Sequence, residues 1–165
     1  MLAGVLVAGV LAYRSAEERM VLRLVRWREG VDFVRQGLGD SLGRLAEGSE
    51  AELRAFTNNP ASAERRTLHE VATRAQLLAD ELDSTPLPGS LTHTAVALAD
   101  AAYLIGREAS RIPDHVLGDA ALDALGCVDL DAVETYYRAA ITAVKQVCDA
   151  CGVDDSAVYG GGLYL

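Results

Sequence analysis

The sequence predicts an all-α fold: a helical bundle with a long N-terminal helix that begins in an apolar segment. Three observations predict it. Half of the residues are apolar but only 5% are aromatic, so the core rests on Leu, Val and Ala, which suits close-packed helices better than sheets. Apolar residues recur at steps of three and four along most of the chain. No run alternates with a period of two for long enough to make a strand. The 165 residues fit one domain. It divides into an apolar segment with a long amphipathic helix over 1–47, an antiparallel bundle body over 49–152, and a Gly/Tyr tail over 153–165.

The first element opens on Leu2–Tyr13, which is continuously apolar and uncharged. As a helix it spans about 18 Å at 1.5 Å per residue, whereas the hydrocarbon core of a bilayer is about 30 Å thick. It is too short to span alone. It is expected to enter one leaflet, cross with help from neighbours, lie buried against another protein, or join the chain's own core. It lacks the basic region and the small-x-small cleavage site of a signal peptide. Gly4, Ala8 and Ala12 fall four apart, the spacing that lets two helix backbones approach closely. Arg14, Arg19, Arg23, Arg26 and Arg28 follow, with Trp27 among them. In a membrane this arginine bias would place the body in the cytoplasm.

From Ser15 to Glu47 the pattern becomes amphipathic, with Met20, Leu24, Trp27, Val31, Val34, Leu38, Leu42 and Leu45 on one helical stripe. Gly30, Gly37, Gly39 and Gly43 weaken that helix by roughly 1 kcal/mol each relative to Ala. Their density points to close approach of another backbone or to a break near Gly37–Gly39. Ser49-x-x-Glu52 is a capping box, and Asn58-Asn59-Pro60 ends the short helix it opens. Pro60 is expected to start the next helix with Asn59 as its cap, and Leu68, Val71, Ala75, Leu78 and Leu82 form its apolar face. Asp83 to Gly89 reads as a loop.

Ser90 is expected to cap the helix that follows. Its seam of Leu91, Ala95, Leu98, Ala102, Ile105, Ala109 and Ile112 alternates large and small residues, so a neighbour can interlock at short interaxial distance. Pro113 ends it. A short helix is expected from about Asp114 to Leu125, stopping at Gly126. The last long helix starts near Asp129 or Asp131, presents Leu130, Val133, Tyr137, Ala140, Val144, Val147 and Cys151 on one face, and stops at Gly152. Of the adjacent Tyr136 and Tyr137, one is expected inward and one outward. The tail carries Gly160-Gly161-Gly162 between Tyr159 and Tyr164.

Charge narrows the partners. The chain carries a net −9; residues 1–44 hold seven arginines against five carboxylates, so the remainder carries −11. An acidic body repels phosphates, which argues against nucleic acid.

Little in the sequence points to chemistry. Cys127, Cys148 and Cys151 are an odd set without a secretory signal, so no disulfide framework is expected. Cys148-x-x-Cys151 falls in the last turn of a helix, where the dipole opposes the thiolate that redox chemistry needs. A zinc site would need more ligands, with Cys127 and His115 or His93 as weak candidates. The motif lacks a second ligand pair, and buried cysteines acting as small apolar residues are the simpler account. His69, His93 and His115 sit on different elements. No Glu-x-x-His of a di-iron bundle and no phosphate loop occurs. Neither an enzyme nor a cofactor is expected.

The function expected is a non-enzymatic structural or assembly subunit, membrane-associated with a cytoplasmic body or held within a macromolecular assembly. Its partners are protein subunits, self or other, with membrane contact through residues 2–13 as one route. The interaction residues expected are Gly4, Ala8 and Ala12, Trp27, Leu91, Ala95, Leu98, Ala102 and Ile105, and Tyr159 and Tyr164. The alternative is a virion component such as a head–tail connector, and a cysteine-based metal or redox protein comes third.

Overall fold

The computed structural model describes residues 2–153, with side chains from residue 18 onward. The chain is all-helical, and no strand occurs among the described residues. Among the described residues six helices follow one another: α1 (Leu2–Glu47), α2 (Glu50–Asn58), α3 (Ala63–Ser84), α4 (Gly89–Ala109), α5 (Asp119–Gly126) and α6 (Leu130–Cys151). The four long helices make the bundle. α4 packs between α3 and α6, and α1 lies against all three. The short α2 and α5 pack on each other at the end where α1 finishes.

The amphipathic stripe of α1 is the spine of the core. Leu24, Trp27, Val31, Val34, Leu38 and Leu45 are buried, and Met20 and Leu42 pack against them. α1 continues without a break through Gly37 and Gly39. Two of its glycines answer to packing: a Cβ on Gly37 would lie 2.9 Å from Cγ2 of Val71, and one on Gly30 would lie 3.1 Å from Cδ2 of Leu78. The close approach is therefore made by α3 side chains. A backbone approach of this kind occurs between α3 and α4, where a Cβ on Gly106 would stand 3.5 Å from the carbonyl of Ala72.

The seam of α4 is buried throughout Leu91, Ala95, Leu98, Ala102, Ile105 and Ala109. The neighbour it interlocks with is the chain's own set of helices, so these positions and Trp27 belong to the interior and are not offered to a partner.

Several element boundaries differ from expectation. The Ser49 capping box forms as read: Oγ of Ser49 accepts from the Glu52 amide, and the Ser49 amide donates to Glu52 Oε2 at 2.6 Å. These bonds hold the Glu52 carboxyl below its ordinary range. Pro60 does not start α3, and Asn59 does not cap it. Asn59 Oδ1 accepts from the Ala61 amide in a tight turn, and Ser62 caps α3 instead through the Arg65 amide. Ser90 is not a cap either. Pro88 occupies that place without a side-chain bond, and its carbonyl accepts from the Leu91 amide. α5 begins five residues later than expected, because Gly118 adopts φ +63, a left-handed conformation that a helix cannot contain. Asp129 caps α6, and Gly152 closes it at φ +65, as its type and place predict.

Candidate interaction surface

Four polar contacts set the register of α1. Arg23 pairs with Glu81 at 3.1 Å, Arg74 stacks on Phe33, Tyr137 Oη donates to Asp32 at 2.7 Å, and Arg35 reaches Glu134 at 3.5 Å. α3 and α6 thus both run antiparallel to α1. α3 ends level with about Val21 and α6 level with about Glu18. The start of α4 meets the same level, since Glu18, Ser90, Leu91 and Gly152 line one cleft. Among the described residues every long neighbour of α1 stops there, yet α1 continues as helix through Leu2–Glu17, about 24 Å at 1.5 Å per residue. That extension carries Gly4, Ala8 and Ala12 on helical backbone. Among the described residues no helix is long and apolar enough to cross a membrane.

The other end of α1 carries an apolar groove of about 590 Å³. Gly39, Leu42, Gly43 and Ala46 of α1 line it together with Leu53 of α2, Leu122 and Leu125 of α5, Val128, and Leu130 of α6. Leu122 and Leu130 remain 37% and 45% exposed. Leu130 was expected on the inward face of α6; it sits one residue after the cap, beyond the reach of the core. A Cβ on Gly39 or Gly43 would meet nothing within 4 Å. Gly39→Ala and Gly43→Ala are therefore each expected to stabilise the fold by about 0.5–1 kcal/mol through helix propensity. Urea titration checks this. A change below zero at either position would show that the surface is not open.

Polar groups inside the bundle serve as ties between elements. Asp32 accepts from Tyr137, Arg35 and Gln36, and the Arg35 guanidinium lies 4.4 Å from the centre of the Tyr137 ring. Burial, aided by the Asp32 carboxylate, pushes the Tyr137 phenol up to about 12. Tyr136 is exposed, so the pair divides as expected. Glu108, 1% exposed, accepts from Arg111 at 2.6 Å and from the Asp129 amide at 3.0 Å, which fastens the start of α6 to the end of α4. The Arg111 guanidinium, with the Asp129 amide and Arg107, holds its carboxyl down at about 2 against the desolvation of its site. Arg65, 4% exposed, donates to the carbonyls of Phe56, Thr57, Pro113 and Val116. These charges are committed to holding backbone in place.

The cysteine and histidine candidates are not brought together. Cys127 is exposed just before α6 and His115 is exposed in the connection between α4 and α5, whereas Cys148 and Cys151 are at the end of α6. Leu130 and Cys148 alone are eighteen residues apart on one helix, about 27 Å. The folding back that would join the four in one site does not occur. Among the described residues no three His, Cys, Asp or Glu side chains are grouped to hold a metal ion. Cys148 is buried and Cys151 half-buried. Tyr159 and Tyr164 lie outside the described residues.

Sequence reasoning found the apolar extension but missed the groove. The signal available was the Gly39-x-x-x-Gly43 spacing, the same small-residue period that marks Gly4, Ala8 and Ala12. No family model, curated protein or solved structure matches the chain.

Proposed function

We propose that the chain is a non-enzymatic structural subunit of a larger protein assembly, joined to it through the N-terminal extension of α1. One observation carries this reading: α1 runs about 24 Å past the level at which its long neighbours stop, and the sequence of that stretch is uncharged from Leu2 to Tyr13. A helix that is apolar on every side needs company on every side. The uncharged part, Leu2–Tyr13, is little more than half as long as a bilayer's hydrocarbon core is thick, which favours a neighbouring subunit over lipid. The buried charges act as fasteners between helices, which suits a rigid scaffold.

The test is the behaviour of the native chain in detergent-free extracts. It is expected to elute in a complex well above its own 17.5 kDa, and Leu6→Glu with Leu11→Glu is expected to release it from that complex. A chain that elutes alone at its own mass without detergent removes the assembly reading. Sedimentation with membranes, reversed only by detergent, moves the shelter from protein to lipid.

A further inference from the structure

We propose that the basic cleft between α1 and the end of α3 receives an acidic segment of the neighbouring subunit, with carboxylates on Arg19 and Arg26 and an apolar side chain on Leu22. The inference rests on the assembly reading above and names the chemistry of the partner where α1 leaves the bundle.

The first ground is positive charge that the chain itself leaves unanswered. Arg19, Arg23 and Arg26 of α1 line a cleft of about 580 Å³ together with Leu22 and Trp27 of the same helix and Glu81 of α3. Glu81 is committed to Arg23 at 3.1 Å, and the Arg23 guanidinium lies 4.7 Å from the centre of the Trp27 ring. Arg19 and Arg26 are exposed and make no hydrogen bond or ion pair with a described residue. Yet the chain has 24 acidic side chains for 15 basic ones, and Arg35, Arg54, Arg111 and Arg138 each hold a carboxylate. Like charges on one helical face repel one another, and carboxylates from outside relieve that repulsion with strong, directed bonds.

The second ground is the shape of the patch. Arg19 and Arg26 stand seven residues apart on α1, about 10.5 Å or two helical turns along its axis. Leu22, 38% exposed, lies between them. An acidic helix with carboxylates two turns apart and an apolar side chain between them matches that stripe. The stripe also continues the line of the uncharged Leu2–Tyr13 stretch, which ends six residues before Arg19, about 9 Å along the helix. A subunit that shelters that stretch and follows α1 toward the bundle arrives at this cleft.

Other anions fit less well. A bilayer entered by the extension cuts α1 at one level and meets every side of it. At this level a second cleft is lined by Glu18 and Asp149, which an anionic lipid surface repels, whereas a protein lying along one flank does not meet them. Nucleic acid is opposed by the acidic body as a whole.

The test uses the full-length chain in its native complex, in detergent-free extract. Arg19→Lys with Arg26→Lys keeps both charges and adds two amines to a chain whose one native lysine is Lys145. A water-soluble carbodiimide then joins an amine to a carboxylate in direct contact, as an amide with loss of water, and mass spectrometry of the joined peptides identifies both residues. The expected result is a bond from either substituted position to an aspartate or glutamate of another polypeptide. Arg19→Glu with Arg26→Glu is expected to weaken the complex about tenfold or more, with unchanged circular dichroism because both side chains are exposed. A complex that forms without such a bond, or with bonds to Glu81 alone, overturns the inference. A complex that tolerates the charge reversal but is lost on Leu6→Glu with Leu11→Glu also overturns it, while the assembly reading stands. A native chain that elutes alone at its own mass overturns both. Binding of the purified chain to phosphatidylserine vesicles that the charge reversal abolishes, with no bond to protein, makes lipid the occupant and overturns the inference as well.

Discussion

Replacing Arg65 by methionine is expected to destabilise the fold by about 3 kcal/mol, the largest loss we predict for one substitution. The guanidinium is 4% exposed, and its acceptors are main-chain carbonyls from two separate stretches, Phe56–Thr57 and Pro113–Val116. Methionine keeps an apolar stem against Phe56, on whose ring the guanidinium lies at 5.2 Å, but supplies no donor. The Thr57 carbonyl still receives the Gly118 amide, and that of Pro113 the Val116 amide. Those of Phe56 and Val116 lose this donor, at about 1.5 kcal/mol each for a buried acceptor. Lysine is expected to rescue little, since a point ammonium cannot span carbonyls that a planar fork reaches together. Equilibrium urea unfolding measures the loss, and hydrogen exchange locates it, with faster exchange expected at the Gly118 amide. A loss below 1 kcal/mol would mean that water replaces the guanidinium and that the two stretches do not depend on it.

Glu108→Gln comes second, with an expected loss of about 2 kcal/mol at pH 7. The carboxyl titrates at about 2 in the fold, against an ordinary value of 4.5. A shift of that size corresponds to an upper bound of about 3.4 kcal/mol. Water screens the partly exposed Arg107 and Arg111, which reduces it. The sign follows from the direction of the shift. A carboxyl held low stabilises the fold fully above its unfolded value and loses that contribution as pH falls from about 4.5 toward 2. The gap between the native chain and Glu108→Gln is therefore expected to be constant from pH 7 to about 5 and to narrow below. A gap that stays constant down to pH 3 would show that packing, and not the charge, is what glutamine disturbs.

Neither residue was legible as a fastener in the sequence. Arg65 and Val116 are fifty-one residues apart, and Glu108 meets the Asp129 amide twenty-one residues on. Periodicity records which face of a helix is apolar, and it says nothing about which distant backbone a charged side chain will reach. For the same reason the seam from Leu91 to Ala109 was readable as a packing surface while its address, the chain's own interior, was not. The stripe from Met20 to Leu45 was readable in full, because burial along one long helix repeats the same spacing many times. Caps were readable where a single candidate stood at the right offset, as at Ser49 and Gly152. They were misread where two competed: Asn59-Pro60 resembles a helix start, but Asn59 spends its side chain on a turn and Ser62 takes the cap. The late start of α5 was hidden because Gly118 breaks the helix by its conformation, and the surrounding Val116 and Leu117 look helical. The groove was missed because its lining comes from four elements, and only folding places Leu53, Leu122 and Leu130 beside Gly39 and Gly43.

The antiparallel pairing of α1 with α6 also governs how the chain reaches its folded state. Asp32 and Tyr137 are 105 residues apart, and Arg35 and Glu134 are 99 apart. α1 therefore acquires its final cover only after α6 has been made. Until then the oily stripe from Val21 to Leu45 faces the surroundings on at least one flank. Contacts of such long sequence separation slow folding and prolong the interval in which nascent chains stick to one another. The stripe of α1 thus stays incompletely covered until α6 docks.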